Sequence, residues 1–293
     1  MKIYAYGIID SNPEEIVLPI PFKEGTNSGM DESLRELGEA PVYNIPYRDI
    51  AVIVSELNEE AKEITDTYIL EHERIVERLM EGFTVLPMRF LTVFNTKKDL
   101  LSMAEFYYED FKDNLARLHN KVEFGMKVIW PADTIKQRIV DVYHKTKHNP
   151  ERIGLPDLLK EGPNVSISTE SPAKTFVKEK FQEHIIEKEF QEEANRCIQV
   201  VDDYFNRIAC EKKLKRLQTE NLLLNSSYLV EKQRQNDFKQ AFEQLKNTPG
   251  DLKFLFSGPW PCYNFVTLTK KPSSVDYFNT EDMLGRLLKT QDL

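Results

Sequence analysis

The sequence predicts an α+β protein of two α/β-layered domains, the C-terminal one ferredoxin-like (a split βαβ arrangement) and carrying a long helix. Three observations predict it. Short runs of alternating apolar residues recur along the chain, as pleated strands require. Stretches with apolar residues three and four apart stand between them, as helices packed on a sheet require. The 293 residues hold 41% hydrophobic side chains, 30% charged ones and only 11 glycines, the profile of a helix-rich globular chain. A chain this long favours two cores over one; the expected domains are 1–120 and 121–293, with a flexible loop over 148–172.

Residues 2–9 bring Ile3, Tyr4, Tyr6, Ile8 and Ile9, side chains that suit a pleated surface. A polar stretch reads as loop to about residue 40. Two short strands are expected near 41–46 and 49–55, with Pro46 at the break, because proline is tolerated only at an edge or a bend. From 58 to 81, Ile64, Tyr68, Ile75, Val76 and Leu79 form one helical stripe, and Gly82 stops it. Residues 83–90 read as a buried strand containing Pro87. A helix is expected over 97–118, with Leu100, Leu101, Phe111, Leu115 and Leu118 inward. Val122, Phe124, Met126, Val128 and Trp130 then share one face of a strand that Pro131 ends.

A helix near 132–147 leads into 148–172, where prolines, glycines, serines and threonines crowd together. The strongest helical signal follows over about 173–217, from Phe176 through Phe181, Ile185, Phe190, Ala194, Ile198, Val201 and Phe205 to Leu214 and Leu217. Such a helix would extend roughly 65 Å, so it either breaks or projects as an arm. Lys212, Lys213, Lys215 and Arg216 read as its solvated end. Residues 221–231 read as a strand, 233–246 as a helix, and 251–257 and 263–268 as two last strands.

Composition excludes some functions. Lys and Arg number 39 against 48 Asp and Glu, for a net charge of -9, which repels phosphate backbones and anionic lipid. Neither nucleic acid nor membrane lipid is an expected partner. No run reaches the ~18 apolar residues of a membrane span. The first residues lack the pattern of a signal peptide, and three scattered cysteines do not make a disulfide framework. A cytoplasmic location is expected.

Catalytic patterns are mostly missing. His144 and His148 stand at i, i+4, as in zinc sites, but a surface helix end is the better reading. Cys197 and Cys210 read as packing residues. His72, among Glu71, Glu73 and Arg74, reads as structural beside a buried stripe. The sequence has neither a phosphate-binding glycine loop nor a nucleophile elbow. No catalytic residue, metal ligand or cofactor is therefore expected, and the chain reads as a non-enzyme. The rival reading is a ligand-binding or enzymatic ferredoxin-like protein.

Two segments are unusual. Pro87 and Arg89 interrupt an apolar strand, and an arginine there needs a carboxylate or carbonyl partner. Gly258, Pro259 and Pro261 frame Trp260, and Tyr263 and Phe265 follow, giving a turn whose prolines reduce the entropy cost of holding aromatics in place. Trp260, Tyr263 and Phe265 are the candidate partner-binding residues, and the long helix is a second candidate surface.

These segments resemble the gas vesicle protein F/L family. The resemblance runs from Ile3-Tyr4-Ala5-Tyr6-Gly7-Ile8-Ile9 and Tyr47–Glu56 to its strongest part, His72–Glu77, Thr84–Phe90 and Val122–Trp130. The turn Gly258-Pro259-Trp260-Pro261, with Tyr263 and Phe265, completes it. Leu91 departs from the pattern, since the family favours glycine after the Arg-Phe pair. The resemblance implies two α+β domains, the second ferredoxin-like, and a minor or accessory protein of gas vesicles that catalyses nothing. Its implied partners are the hydrophobic shell protein and other gas vesicle accessory proteins, and its implied location is the gas vesicle.

Overall fold

The computed structural model describes residues 2–11, 17–18, 41–57, 66–147, 172–216, 219–248 and 250–269. They fall into two compact units. Unit 1 takes Met1–Phe124, Ser227–Gln235 and the chain from Ser257, and unit 2 takes Gly125–Ser226 and Asn236–Phe256.

Unit 1 is organised by an antiparallel sheet. Strands β1 (Lys2–Ile9), β2 (Val17–Leu18), β3 (Val42–Tyr47), β4 (Ile50–Leu57) and β5 (Val85–Pro87) stand in the order β2-β3-β4-β1-β5, and β6 (Val93–Phe94) also pairs with β1. β1 is central and buried from Ile3 to Ile9. Its register shifts between Ala5 and Gly7, a bulge that inserts one residue and resets the alternation. Ile3, Ala5 and Ile8 therefore face one core, while Tyr4, Tyr6 and Ile9 face the other. The adjacent pair Ile8-Ile9 serves both layers.

Helix α1 (Asp66–Gly82) covers the second face with Ile75, Val76 and Leu79. Each buried aliphatic side chain contributes about 1.5–3 kcal/mol. Helices α2 (Lys97–Phe106) and α3 (Tyr108–Leu118) cover the first face with Leu100, Met103, Phe111, Leu115 and Leu118. The single helix expected over 97–118 is thus two. The break is Tyr107 at φ -99, ψ 11, which keeps the apolar stripe on the sheet through a change of axis. The start of the helix expected from residue 58 lies outside the described residues.

β3 and β4 form a two-residue hairpin, Tyr47 opposite Ile50, with Arg48 left-handed at φ 56. Pro46 sits inside β3 opposite Ala51, where pairing with β2 reaches only Val42 and Tyr43. The proline thus occupies an edge, where its missing N–H costs no ladder bond. The strand expected over 83–90 is only β5. Beyond Pro87 the chain turns through Leu91, at φ 67, before pairing resumes at Val93.

The second sheet joins β7 (Lys121–Ile129), β8 (Glu211–Arg216), β9 (Leu222–Glu231) and β10 (Lys253–Trp260) in the order β10-β7-β9-β8. Helices α4 (Ala132–Lys147) and α5 (Pro172–Asp203) lie between β7 and β8 in sequence, and α6 (Gln235–Lys246) between β9 and β10. This is the βαββαβ order of a ferredoxin-like sheet. Inside unit 2, Trp130 packs on Phe190 at 4.8 Å between ring centroids, Phe205 on Phe238 at 4.6 Å and Phe242 on Phe256 at 4.2 Å.

Two sequence expectations are corrected here. The helix expected over 173–217 ends at Asp203, and residues 211–216 are the edge strand β8. Lys212, Lys213, Lys215 and Arg216 therefore line a strand, not a helix end; Leu214 matched both periods. Lysine on an edge strand blocks further pairing, so the charge run has a sheet-level reason. The strands expected at 251–257 and 263–268 are a single strand through Trp260, followed by a turn at 263–265 and irregular chain to 269. Here side chains of α3 take up the backbone that a partner strand would otherwise satisfy.

Candidate functional site

The turn flagged by the sequence lies in unit 1, where β10 ends and the chain crosses α3. Gly258 has φ 109, and a Cβ there would stand 2.7 Å from the Glu123 carbonyl oxygen and 3.0 Å from the Phe124 ring. Only glycine fits, for both steric and dihedral reasons. The Gly258–Pro259 peptide bond is cis. Pro259 is exposed, Trp260 is partly exposed, and Pro261 is buried.

From there the chain is tied down residue by residue. The Tyr263 hydroxyl donates to Glu73 Oε1 on α1 at 3.1 Å. The Asn264 N–H donates to Glu123 Oε2 at 2.9 Å, and its side-chain amide donates to Glu123 Oε1. Phe265, 1% exposed, enters the core beside Cys262, Phe111 and Leu115. Arg117 donates to the Phe265 carbonyl. Asn114 Oδ1 accepts the Thr267 N–H at 2.9 Å while its Nδ2 donates to the Thr267 carbonyl at 2.6 Å. Asp110 accepts the Thr269 N–H at 3.0 Å and the Thr269 hydroxyl at 2.5 Å.

The spacing explains this strap. Asp110, Asn114 and Arg117 stand at i, i+4 and i+7, one above another on a helix face, and each turn rises about 5.4 Å. Alternate residues of an extended chain are about 6.6 Å apart. One face of α3 therefore reads residues 269, 267 and 265 in turn, as a neighbouring strand would.

Burial sets the electrostatics of the turn. It raises the Glu73 carboxyl above its ordinary range, against the opposing pull of the Tyr263 hydrogen bond, and Glu73 Oε2 has no hydrogen-bond partner. Burial also pushes the Tyr263 hydroxyl far up, with the Glu73 charge adding to it. The Cys262 thiol is pushed up to about 12 by burial, so it stays protonated at neutral pH and is a poor nucleophile.

The Pro87–Arg89 segment runs alongside β1 in the sheet, the Met88 N–H donating to the Tyr6 carbonyl. Pro87 is buried opposite Gly7. Arg89 is half-buried, and its carbonyl accepts from the Thr92 N–H at 3.1 Å and from the Thr92 hydroxyl at 2.7 Å. Beneath this turn is His72, 1% exposed. Its Nε2 donates to the Met88 carbonyl at 3.0 Å, and its Nδ1 accepts from the Tyr4 hydroxyl at 2.8 Å. That hydroxyl in turn accepts the Leu91 N–H at 3.3 Å. Burial lowers the pKa of the imidazole to about 4, which keeps the ring neutral at pH 7, with one nitrogen donating and the other accepting. Through the Tyr4 hydroxyl, His72 thus holds the left-handed turn at Leu91.

A concavity of unit 1, about 130 Å³, is lined in part by Asp10, Thr84, His119, Lys121, Lys232 and Cys262. Thr84 Oγ1 lies 2.9 Å from His119 Nδ1, the Thr84 N–H donates to Asp10, and the Lys232 ammonium donates to the Met80 carbonyl. These groups satisfy one another, and the thiol beside them is held protonated. The arrangement provides no activated nucleophile. His144 is exposed and its ring meets Tyr143 at 5.8 Å; His148 lies outside the described residues. Of the three candidate partner-binding residues, the structure brings Tyr263 and Phe265 inward as anchors and leaves Trp260 partly outward. The residues that sequence reasoning missed are Glu73, Glu123, Asp110, Asn114 and Arg117. The i, i+4, i+7 polar row on α3 was the signal available for the last three.

A model of the family described as gas vesicle synthesis protein GvpL/GvpF matches residues 2–267. The chain belongs to that family. Among relatives of the GvpL/GvpF chain, gas vesicle protein F1 of Halobacterium salinarum is 22% identical over 270 residues, covering 91% of this chain and 93% of its own. Gas vesicle protein F of Microcystis aeruginosa is 23% identical, covering 91% and 98%. Gas vesicle protein L1 of Halobacterium salinarum is 24% identical over 144 residues, 47% of each chain. The crystal structures of GvpF from Anabaena sp. PCC7120 and from Microcystis aeruginosa each superpose with a TM-score of 0.67, at 20% and 22% identity. They cover 92% and 91% of this chain and 99% of their own. At that identity the superposition shows the fold: a mixed α+β protein with two antiparallel sheets. No helix among the described residues is long and apolar enough to cross a membrane.

Proposed function

We propose that this GvpL/GvpF-family chain is a non-catalytic accessory or minor structural protein of gas vesicles, which binds the hydrophobic shell protein and supports vesicle assembly in the cytoplasm. The observation that carries the reading is the family match over residues 2–267. The geometry of the turn gives it a physical form. Trp260 sits between Pro259 and Pro261, and the chain after it is anchored by Tyr263, Asn264 and Phe265. An indole held this way loses little conformational entropy on contact, which suits it to serve as an anchor for an apolar client. The acidic balance of the chain keeps the free protein dispersed while it presents such a surface. Other gas vesicle accessory proteins are further proposed partners.

Capture of purified shell protein by immobilised chain tests the role. Trp260→Ala is expected to weaken capture by about thirtyfold, the loss of an anchor of ~2 kcal/mol, with an unchanged melting temperature. Equal capture by wild type and variant would remove Trp260 from the contact. Cells that float normally without the gene would remove the assembly role.

A further inference from the structure

The second sheet has two edges, and the sequence treats them differently. β8 closes one side, and every residue of it except Leu214 is charged: Glu211, Lys212, Lys213, Lys215 and Arg216. β10 closes the other side, reads Lys-Phe-Leu-Phe-Ser-Gly-Pro-Trp, and carries no charge after Lys253. No strand among the described residues pairs with its outer side. A free edge presents unpaired N–H and C=O groups at alternate residues, and lysine is the common guard against pairing there. That guard stands along β8 and is missing from most of β10.

The side chains of β10 sharpen the contrast. Phe254 and Phe256 turn toward α6, their ring centroids 6.1 and 4.2 Å from that of Phe242. Leu255, between them, points to the opposite face of the sheet and is 59% exposed. No residue of β10 is buried. In a chain where 30% of residues are charged, an uncharged run on an exposed edge invites aggregation unless something covers it.

We propose that β10 takes an extended, uncharged segment of the hydrophobic shell protein as an added strand, paired along residues 253–256. The chemistry of the edge selects that occupant. Backbone hydrogen bonds hold an added strand of any sequence, and the side chains beside them decide which sequences are accepted. Here those side chains are Phe254, Leu255 and Phe256. A charged segment would lose water and gain no counter-charge from them, whereas an apolar one covers Leu255 and the rims of both rings. The same strand runs on to Trp260, so the contact continues the one already proposed for that residue. A contact this short is weak and reversible, as suits a protein that must release what it holds. The added strand rests on the shell-protein reading.

Capture of purified shell protein by the immobilised full chain, joined to hydrogen exchange of the complex, tests it. Leu255→Lys gives β10 the guard that β8 has, at a position exposed enough to spare the fold. It is expected to weaken capture at least about tenfold, with an unchanged melting temperature. In the wild-type complex, the outward amides of residues 253–256 should exchange at least about tenfold slower than in the free chain, while those of Glu211–Arg216 keep their rates. Where the wild type captures the shell protein, the absence of either effect overturns the added strand and leaves the shell-protein reading standing. A wild type that captures nothing overturns both. Outward amides of β10 that are already slow in the free chain also overturn the proposal. The edge is then covered by another part of the same chain, or by a second copy if the slowing grows with concentration.

Discussion

His72 shows what a single side chain does when its surroundings admit one protonation state. Folded, it resists protonation until about pH 4; unfolded, it takes a proton near 6.5. Between those values the unfolded chain binds more protons, so stability falls as pH falls through that window, by about 3 kcal/mol in all. The buried carboxyls of Glu71 and Glu73 are raised and act in the opposite sense, so the readout is a difference. Urea unfolding at pH 7 and pH 4.5 should show wild type losing more stability than His72→Gln. Gly258 is the steric counterpart. Gly258→Ala is expected to cost about 3 kcal/mol, seen as a lowered melting temperature. Both residues lay in segments the sequence marked. His72 read as structural from its place beside an apolar stripe, and its ring nitrogens bond to Met88 and Tyr4. That Leu91 depends on it was illegible, because a left-handed turn in a non-glycine residue leaves no periodic trace.

At the level of elements, periodicity was a good guide where one face of a helix or strand is wet, as in β7, α4 and α6. It failed where two periods coincide. Leu214 continues the stripe of α5 at helical spacing and also alternates with lysines, and only pairing with β9 decides for the strand. The lysines then protect an edge. Replacing Lys213 and Arg216 together by valine should leave the circular dichroism spectrum unchanged and lower the temperature at which light scattering rises. The strap on α3 was missed for the opposite reason. Its backbone bonds go to side chains of a helix more than 140 residues away in sequence, so no alternation is needed to satisfy them. Asn114→Ala removes the two part-buried hydrogen bonds that tie the Thr267 amide and carbonyl to α3, at a cost of about 2 kcal/mol. Hydrogen exchange at the Thr267 amide should accelerate about thirtyfold.

At the scale of the whole molecule, the order of elements along the chain anticipated two α+β layers, and the sheet order β10-β7-β9-β8 completes the second with a strand that had been read as helix. Which distant segments return to complete a core was not legible, because contact between remote residues has no local signature. Leu229, Cys262 and Phe265 belong to the same cluster as Ile3 and Ile8. A chain ending at Phe256 should therefore keep most of its helix content but bind a hydrophobic dye and melt without a sharp transition. Trp260→Ala, which spares that cluster, should not.

The return of the strap to the first core also sets a timetable. A ribosome makes the amino-terminal 124 residues early, yet the side chains that close their apolar layer come from beyond residue 256. At about 5–20 residues per second, the nascent polypeptide waits on the order of ten seconds with that layer open. Those seconds are when a chaperone has most to protect.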